Sequence, residues 1–379
     1  MANDRNTSFQ QAKRVIVKVG SGILTRSDGL NTQAIRSISR QICRLIARGK
    51  EVLLVTSGAM ASGVKKVSLP KRPDELPKRQ AAAAVGQAGL IMEYEKAFDR
   101  FGKKVAQILL TSEDLSNRKR YLNARNTLYT LLSWQVVPII NENDTVSIAE
   151  IQFGDNDNLA AMIALLMDAD MLINLTVTDG LYDSDPRTSD TATLIPVVST
   201  IGKDIEKLAS DIPGALNFGG MLSKIKAAKK ITAAGIPMVI ANGNTPDILE
   251  KLFAGKDFGT YFIPKTEKLA SRKCWIGFTL KPKGLIRIDA GAVAAVLARG
   301  KSLLPSGITG VEGDFDVGAA VELAGNDQDV IGVGLVNYNA VDIRKIMGCK
   351  SGQIRDRLGY KPYDEIIHRD NLVITAVCE

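Results

Sequence analysis

The 379-residue sequence contains a single histidine, His368, close to its C-terminal end. Hydrolytic mechanisms of the Ser-His-Asp and Cys-His types need an imidazole base, so they are excluded from the N-terminal part of the chain. The four cysteines are Cys43, Cys274, Cys349 and Cys378, and no two of them form a Cys-x-x-Cys pair. This scatter predicts reduced structural thiols and argues against a disulfide framework or a zinc site.

Long apolar runs are also missing, since none approaches the roughly 18 residues that span a bilayer. The first residues, MANDRNTSFQQAK, lack the apolar segment of a secretory signal. We therefore expect a cytoplasmic protein without membrane contact. The chain length favours two domains, and the composition, with 45% hydrophobic and 24% charged residues, is typical of globular proteins.

The net charge of +8 is unevenly distributed along the chain. Residues 281–379 carry 12 Lys or Arg and 13 Asp or Glu, or about −1. Residues 1–280 then carry 37 basic and 28 acidic residues, or about +9. A positive N-terminal part suits an anionic small substrate and a nucleic acid equally.

The first two thirds of the chain alternate between strand and helix patterns. Apolar runs that end in glycine or polar residues predict strands at RVIVKVG, EVLLVTSG, KVAQILLT, QVVPIINEND, MLINLT and IPMVIANG. With helices between them, these runs predict an α/β fold in three layers, a mainly parallel sheet covered on both faces. Ligands bind such sheets beyond the carboxyl ends of the strands. Polar clusters follow the predicted strands there, after Val19, Val55, Ile140 and Leu175.

The pattern changes near residue 265. Residues 266–282 are basic and lack a clear period, and we interpret them as a linker between a domain of residues 1–265 and one of residues 283–379. The second domain contains short strand patterns with glycine turns, LIRIDAG, GAAVELAG, VIGVGLVNY and LVITAV. They predict a small, mainly β barrel.

Two glycine-rich segments are suited to phosphate. In KVGSG, Lys18 stands at a strand end beside Gly20 and Ser21, and in GGMLSK, two glycines precede a helix that carries Ser223 and Lys224. Glycines let backbone N–H groups approach an anion, and lysine adds a point charge. KVGSG is neither a Walker A loop nor a dinucleotide fingerprint. The alternatives are a plain strand-end turn and a solvent-facing lysine.

Three further clusters are suited to an amino acid. TSGAMASG places Ser57, Gly58 and Ala59 at a strand end, where small side chains would let an anion reach a helix N-terminus, or would serve tight strand–helix packing. The motifs NENDT and GDNDN supply further polar side chains, Asn141, Asp144, Asp155, Asn156 and Asp157. Helix capping explains one residue per cluster. Asp can bind an ammonium group and Asn a carboxylate, while another Asp can orient a lysine or face hydrated Mg²⁺.

Together the clusters predict a phosphoryl-transfer site without an evident base. Such reactions depend mainly on positioning and on neutralising the phosphoryl oxygens, which two lysines and Mg²⁺ can do. A hydroxyl acceptor would need a base. A carboxylate acceptor would not, because its pKa near ~4 leaves it ionised at neutral pH.

These motifs resemble the amino acid kinase family, and within it the members whose acceptor is glutamate. The segments are VKVGSGIL, VTSGAMASGV, QAAAAVGQAGL, LNARNTL, VPIINENDTV, FGDNDNLAAMIA, DGLYDSDPR and GGMLSKIKAA, in family order over about 250 residues. The tail from Asp289 to Leu323 resembles the PUA domain. The resemblance implies the amino acid kinase fold followed by a PUA barrel. It also implies transfer of the ATP γ-phosphate to the side-chain carboxylate of L-glutamate, the first step of proline biosynthesis.

The resemblance assigns roles to individual residues. It implies that Lys18 and Lys224 stabilise the moving phosphoryl group and that Asp157 orients them. The implied glutamate-binding residues are Ser57, Gly58, Ala59, Asn141, Asp144, Asp155 and Asn156. The implied nucleotide-binding residues are Lys18, Gly20, Ser21, Thr176, Val177, Phe218, Gly219, Gly220, Met221, Leu222, Ser223 and Lys224. No protein metal ligand is implied, because phosphates and water would hold Mg²⁺.

Two positions on the nucleotide side depart from the family pattern, which usually has Asp at position 177 and Thr at position 218. The resemblance also implies a homodimer or homotetramer and inhibition by proline.

Two alternatives stay open, RNA binding through the tail and another acceptor such as acetylglutamate, aspartate, carbamate or a nucleoside monophosphate. The near-neutral tail disfavours RNA, which binds through basic phosphate contacts.

Overall fold

The computed structural model describes residues 2–26, 29–146, 156–210, 220–265, 268–325 and 329–375. The chain divides into two compact units, residues 1–268 and residues 269–379. Among the described helices, none combines the length and the apolar character that crossing a bilayer requires.

The first unit is built on an eight-stranded sheet with the order β5-β6-β4-β1-β7-β9-β10-β8. The strands of this unit are β1 (Arg14–Val19), β2 (Thr25–Arg26), β3 (Gly29–Leu30), β4 (Glu51–Val55), β5 (Val105–Leu110), β6 (Val137–Glu142), β7 (Met171–Thr176), β8 (Val197–Val198), β9 (Met238–Asn242) and β10 (Thr260–Phe262). Strands β2 and β3 form a separate antiparallel ribbon. Neighbouring strands in the large sheet are parallel except β9 and β10. The predicted mainly parallel sheet is confirmed.

Helices cover both faces of this sheet. They are α1 (Ala2–Gln11), α2 (Ser21–Leu24), α3 (Thr32–Ala47), α4 (Ala59–Lys66), α5 (Leu76–Asp99), α6 (Ser112–Ser116), α7 (Arg118–Ser133), α8 (Asn156–Leu166), α9 (Lys203–Ser210), α10 (Met221–Ala233) and α11 (Ile248–Phe253). On one face, Val15 and Val17 of β1 join an apolar core with side chains of α3, α5 and α11. Because strand side chains alternate, Lys18 points to the opposite face, where α8 lies against β1.

The strand order brings the predicted polar clusters to one edge of the sheet. The clusters follow β6, β4, β1 and β7, and these four strands are consecutive neighbours in the sheet. Their carboxyl ends therefore lie side by side. Strands β4, β5 and β6 lie on one side of β1 and the later strands β7 and β9 on the other, so β1 marks the reversal of strand order where such sheets bind ligands.

The small residues of TSGAMASG serve two purposes. Gly58 begins α4 with a φ of 105°, a conformation that favours glycine. Within the helix, a Cβ on Gly63 would lie 1.6 Å from the Ala82 carbonyl oxygen, and a Cβ on Gly86 would lie 1.8 Å from the Ala59 carbonyl oxygen. Close approach of α4 to α5 therefore requires glycine at both positions. The sequence suggested tight packing between a strand and a helix in this segment. The structure has tight packing there, but between helices α4 and α5.

The second unit contains a five-stranded sheet with the order β12-β11-β13-β14-β15. Its strands are β11 (Gly284–Ile288), β12 (Ile308–Gly313), β13 (Ala320–Ala324), β14 (Val330–Leu335) and β15 (Leu372–Ile374). Its helices are α12 (Ser271–Cys274), α13 (Ala290–Arg299), α14 (Ala340–Ile346) and α15 (Ile354–Leu358), with a π-helical turn at Trp275–Thr279. The predicted mainly β second domain is confirmed. Sequence analysis missed β12, and it did not predict the helical residues 271–279 within the proposed linker.

Candidate active site

Asp157 lies in the first turn of α8 and is fully buried. Its Oδ1 accepts hydrogen bonds from the Lys18 ammonium group and, at 2.7 Å, from Asn174 Nδ2. Its Oδ2 accepts from Ser223 Oγ at 2.7 Å and from Lys224 Nζ at 3.0 Å. Two lysines from distant parts of the sequence therefore meet on one carboxylate.

The two lysines and Asp157 are almost completely withdrawn from water. Lys18 and Lys224 are each 3% exposed. Burial by itself raises the pKa of Asp157, but the charges of Lys18 and Lys224, with the hydrogen bonds, outweigh it and hold this pKa well below its ordinary value. With both lysines protonated, the cluster carries a net charge of +1. It is therefore suited to receive a further anionic group.

The secondary structure fixes this geometry. Lys18 is the penultimate residue of β1, and Gly20 N donates to Leu175 O at 3.0 Å, which ties the end of β1 to β7. Ser223 and Lys224 lie in the first turn of α10. Helices α8 and α10 both begin at this edge of the sheet, so their first turns bring Asp157, Ser223 and Lys224 to the end of β1.

A second polar cluster connects β4, β6 and α8. Asn156 Nδ2 donates to Thr56 O, to Ser57 Oγ at 3.0 Å and to Asn141 Oδ1 at 2.8 Å. Asn141 Nδ2 donates to Gln87 Oε1 at 2.8 Å. The amide nitrogens of Asn141 and Asn156, which we expected to bind a ligand carboxylate, are thus engaged in holding the site together.

Asp144 follows β6 and is half-buried. Burial and the nearby charge of Glu142 raise the pKa of Asp144 to about 6, while the charge of Arg72 opposes this shift. Burial and Glu142 disfavour the ionised form of this carboxyl group, so a cation placed beside it would stabilise that form. The position therefore fits an ammonium group of a ligand.

A cavity of about 690 Å³ opens beside the two lysines. Its lining includes residues of the predicted phosphate and acceptor segments, Lys18, Gly20, Ser21, Ser57, Gly58, Asn156, Thr176, Val177 and Lys224. Five of the described lining residues are basic, Lys18, Arg26, Lys65, Arg72 and Lys224, and none is acidic. The cavity is therefore suited to a polyanionic ligand such as a nucleotide phosphate.

Other predicted residues lie around the cavity or outside the described parts of the chain. Ala59, Asn141, Asp144, Gly220, Met221, Leu222 and Ser223 are described but are not part of the lining. Asp155, Phe218 and Gly219 lie outside the described residues, so their predicted contacts stay predictions. Val177 is 51% exposed, and its Cγ1 would lie 2.8 Å from a Cβ added to Gly22.

Sequence analysis missed three basic residues of this lining, Arg26, Lys65 and Arg72, and also the buried Asn174. The run KKVSLPKRPDE begins in the last turn of the small-residue helix α4, and its charge and place in the chain were the available signals for Lys65 and Arg72. Asn174 lies inside an otherwise apolar strand, MLINLT. A buried polar side chain in such a strand needs a partner, and here the partner is Asp157.

Comparison with known protein families identifies the family to which this chain belongs. The model of the amino acid kinase family matches residues 13–242, and that of the PUA domain matches residues 284–358. The first match spans more than half of the chain and contains Lys18, Asp157 and Lys224. The chain belongs to the amino acid kinase family.

The chain is also similar to individual proteins. A protein of Syntrophus aciditrophicus (strain SB) named glutamate 5-kinase is 52% identical over 374 residues, 99% of this chain and 97% of that protein. A glutamate 5-kinase of Geobacter sulfurreducens is 49% identical over 371 residues, 98% of this chain and 100% of that protein. A UMP kinase structure from Bacillus anthracis covers 68% of this chain and 99% of its own at 15% identity, with a TM-score of 0.48.

Proposed function

We propose that this protein transfers the γ-phosphoryl group of ATP to the side-chain carboxylate of L-glutamate. The observation that carries the proposal is the pair of buried lysines, Lys18 and Lys224, held by one carboxylate at the wall of a basic cavity. The near full-length relatives named glutamate 5-kinase support glutamate as the acceptor.

In the reaction, a carboxylate oxygen of glutamate attacks the γ-phosphorus, and the bond from this phosphorus to the β–γ bridging oxygen breaks. ADP leaves with the electron pair of that bond, and the product is glutamyl 5-phosphate. Lys18 and Lys224 donate hydrogen bonds to the phosphoryl oxygens as charge redistributes. The acceptor is already ionised, so no base is needed, and the single histidine, His368, lies in the second unit.

Asp157 is a positioning residue in this proposal. Its two oxygens fix the two ammonium groups before substrates arrive, so little reorganisation is needed during the reaction. Asp144, Ser57 and the Asn141–Asn156 pair form the glutamate side of the site. Thr176 and the first turn of α10 form the nucleotide side.

Magnesium would enter with the nucleotide. Among the described residues, no group of three or more acidic, histidine or cysteine side chains could hold a metal ion. Asp157 already accepts hydrogen bonds from four side chains at the site. Phosphate oxygens and water are ordinary Mg²⁺ ligands, so the metal would add charge neutralisation on the phosphates.

Four further expectations belong to the proposal. The domain boundaries of 1–265 and 283–379, with a linker at 266–282, lie near the division of the compact units at residues 268 and 269. A cytoplasmic location stays an expectation of the sequence. Assembly into a dimer or tetramer and inhibition by proline rest on the family resemblance.

The test is an acceptor panel. The purified protein is incubated with ATP and Mg²⁺ and with glutamate, acetylglutamate, aspartate, carbamate or UMP. ADP release is measured for each acceptor, and acyl phosphates are trapped with hydroxylamine. We expect glutamate to exceed every other acceptor by at least ~10²-fold in kcat/KM, because a site that pairs with polar substrate groups strongly rejects analogues that lack them. Equal or faster turnover of another acceptor would overturn the assignment.

A further inference from the structure

The connection between α4 and α5, residues 67–75, forms part of the cavity wall through Leu69, Pro70 and Arg72. Within the described residues, no hydrogen bond or ion pair engages the Arg72 guanidinium group. The preceding residue differs, because Lys71 Nζ lies 3.6 Å from Asp74 Oδ2 and Lys71 is not in the cavity lining. Arg72 is therefore the residue of this connection whose charge is available to a ligand.

The local sequence restricts how Arg72 can move. Pro70 and Pro73 flank the Lys71–Arg72 pair, and each proline fixes its own φ angle. The residue before a proline is also confined mainly to extended conformations, which applies to Arg72. The connection thus presents the guanidinium from a backbone with little freedom.

Arg72 also acts on Asp144 electrostatically, and its charge favours the ionised carboxylate. Two opposite charges, one on the α4–α5 connection and one after β6, therefore lie close enough to interact at the glutamate side of the site. An α-amino acid presents an ammonium group and a carboxylate on one carbon atom. This pair of protein charges matches such a zwitterion.

Several other side-chain donors near the cavity already have protein partners. The amide nitrogens of Asn141 and Asn156 bind protein acceptors. Arg26 Nη2 donates to Gln33 Oε1 at 3.2 Å, and the Lys65 stem lies against Gly29 of the β2–β3 ribbon. Lys18 and Lys224 are reserved for the transferred group.

We infer that Arg72 binds the α-carboxylate of the acceptor amino acid, beside Asp144, which binds its ammonium group. Leu69 and Pro70 then contact the methylene groups between the α-carbon and the reacting carboxylate. Arg72 is thereby a specificity-determining residue that distinguishes an α-amino acid from an acceptor without the α-carboxylate. This inference rests on glutamate as the acceptor.

The test compares wild type with Arg72→Ala, Arg72→Lys and Lys71→Ala in steady-state kinetics. For Arg72→Ala we expect the KM for glutamate to rise roughly 10-fold to 100-fold, the usual loss for a hydrogen-bonded charge. The kcat and the KM for ATP should stay within about threefold, since they do not depend on this contact. Arg72→Lys should recover part of the loss. Lys71→Ala removes a neighbouring charge and should behave as wild type.

4-Aminobutyrate supplies a second readout, because it keeps the reacting carboxylate but lacks the α-carboxylate. Wild type should prefer glutamate over 4-aminobutyrate, and Arg72→Ala should lose that preference by the same factor by which its KM for glutamate rises. A KM for glutamate within twofold of wild type, or equal losses on both acceptors, would overturn the inference.

The pH profile tests whether Arg72 lies beside Asp144. The charge of Arg72 opposes the effects of burial and of Glu142 on Asp144. Removing it should therefore move the acid limb of kcat/KM for glutamate to higher pH, and an unmoved limb would count against the arrangement. If wild type forms no glutamyl phosphate, the proposed function fails. If wild type is active and Arg72→Ala is unchanged, only this inference fails.

Discussion

The two units contain cavities of nearly equal size and very different chemistry. The cavity of the first unit is about 690 Å³, and that of the second unit, beside α13, is about 680 Å³. Both are lined by basic residues. In the second cavity these are Arg299, Lys301 and Arg369, and all three are exposed. In the first cavity, Lys18 and Lys224 are buried on one carboxylate.

The size of a cavity and its basic lining therefore do not identify the reaction site. The distinguishing feature is charged side chains that are buried and held in place by a partner. Withdrawing an ion from water costs several kcal/mol even after relaxation. Two lysines on one aspartate are a poor source of stability, because one positive charge lacks a partner within the cluster. Such an arrangement marks functional sites more often than structural ones. An exposed cation keeps its water and contributes little until a partner binds.

The largest expected effect follows from Asp157→Asn. The change removes the carboxylate from two buried ammonium groups, so we expect a loss of about 3–5 kcal/mol in the free energy of unfolding. Chemical denaturation at pH 7 measures it. Asp289→Asn is the matched control, because Asp289 caps α13 in the second cavity and Asn caps equally well. A loss below 1 kcal/mol for Asp157→Asn would show that the carboxylate does not neutralise the lysines.

The next effect concerns activity. Lys18→Met should lower kcat for glutamate phosphorylation by about 10²–10³-fold, as when one donor to a developing charge is removed. Its melting temperature should change little, because Asp157 keeps Lys224 as a partner. Lys301→Met removes a cation from the second cavity and should leave kcat within about twofold. Similar losses in both variants would contradict the contrast between the cavities.

A smaller effect is expected from pH. The pKa of Asp144 is raised to about 6, and its ionised form is needed to hold an ammonium group. In the free enzyme, kcat/KM for glutamate should therefore fall as pH drops below about 6, and Asp144→Asn should be at least ~10-fold less efficient at pH 8 and lack this limb. The folded protein holds the Asp144 proton more tightly than the unfolded chain, so its contribution to stability decreases as pH rises from about 4 to about 6. An acid limb that persists in Asp144→Asn would refute the assignment.

The smallest effect is expected at Lys230, a half-buried lysine of α10. Lys230 Nζ donates to Asn158 Oδ1 at 2.7 Å, and burial lowers the pKa of Lys230 to about 8. The charged form is therefore disfavoured in the folded state, and its contribution to stability improves as pH rises from about 8 to about 10.4. Lys230→Met should leave kcat within about twofold and change the free energy of unfolding at pH 7 by less than ~1 kcal/mol, or stabilise the fold. A 10²-fold loss in kcat would show that burial alone explains the Lys224 effect.

Sequence reasoning located Lys18 and Lys224 because each lies close to glycines, at a strand end or a helix start, and because these motifs resemble those of the family. It did not locate Asn174, because a single polar residue within an apolar strand does not disturb the period of the pattern. Arg72 lies on an irregular connection, and which surface such a segment covers depends on contacts distant in sequence. β12, Ile308–Gly313, carries two glycines and exposed positions, so its alternation is weak.

The central claim is that two ammonium groups act on one phosphoryl group. The most direct measurement is kcat for Lys18→Met, Lys224→Met and the double variant, with the exposed Lys226→Met as a control on the same helix. Residues that share one partner couple, so the double variant should be at most about tenfold slower than the slower single variant, while Lys226→Met matches wild type. Either single variant turning over at nearly the wild-type rate, or losses that multiply fully in the double variant, would contradict the claim.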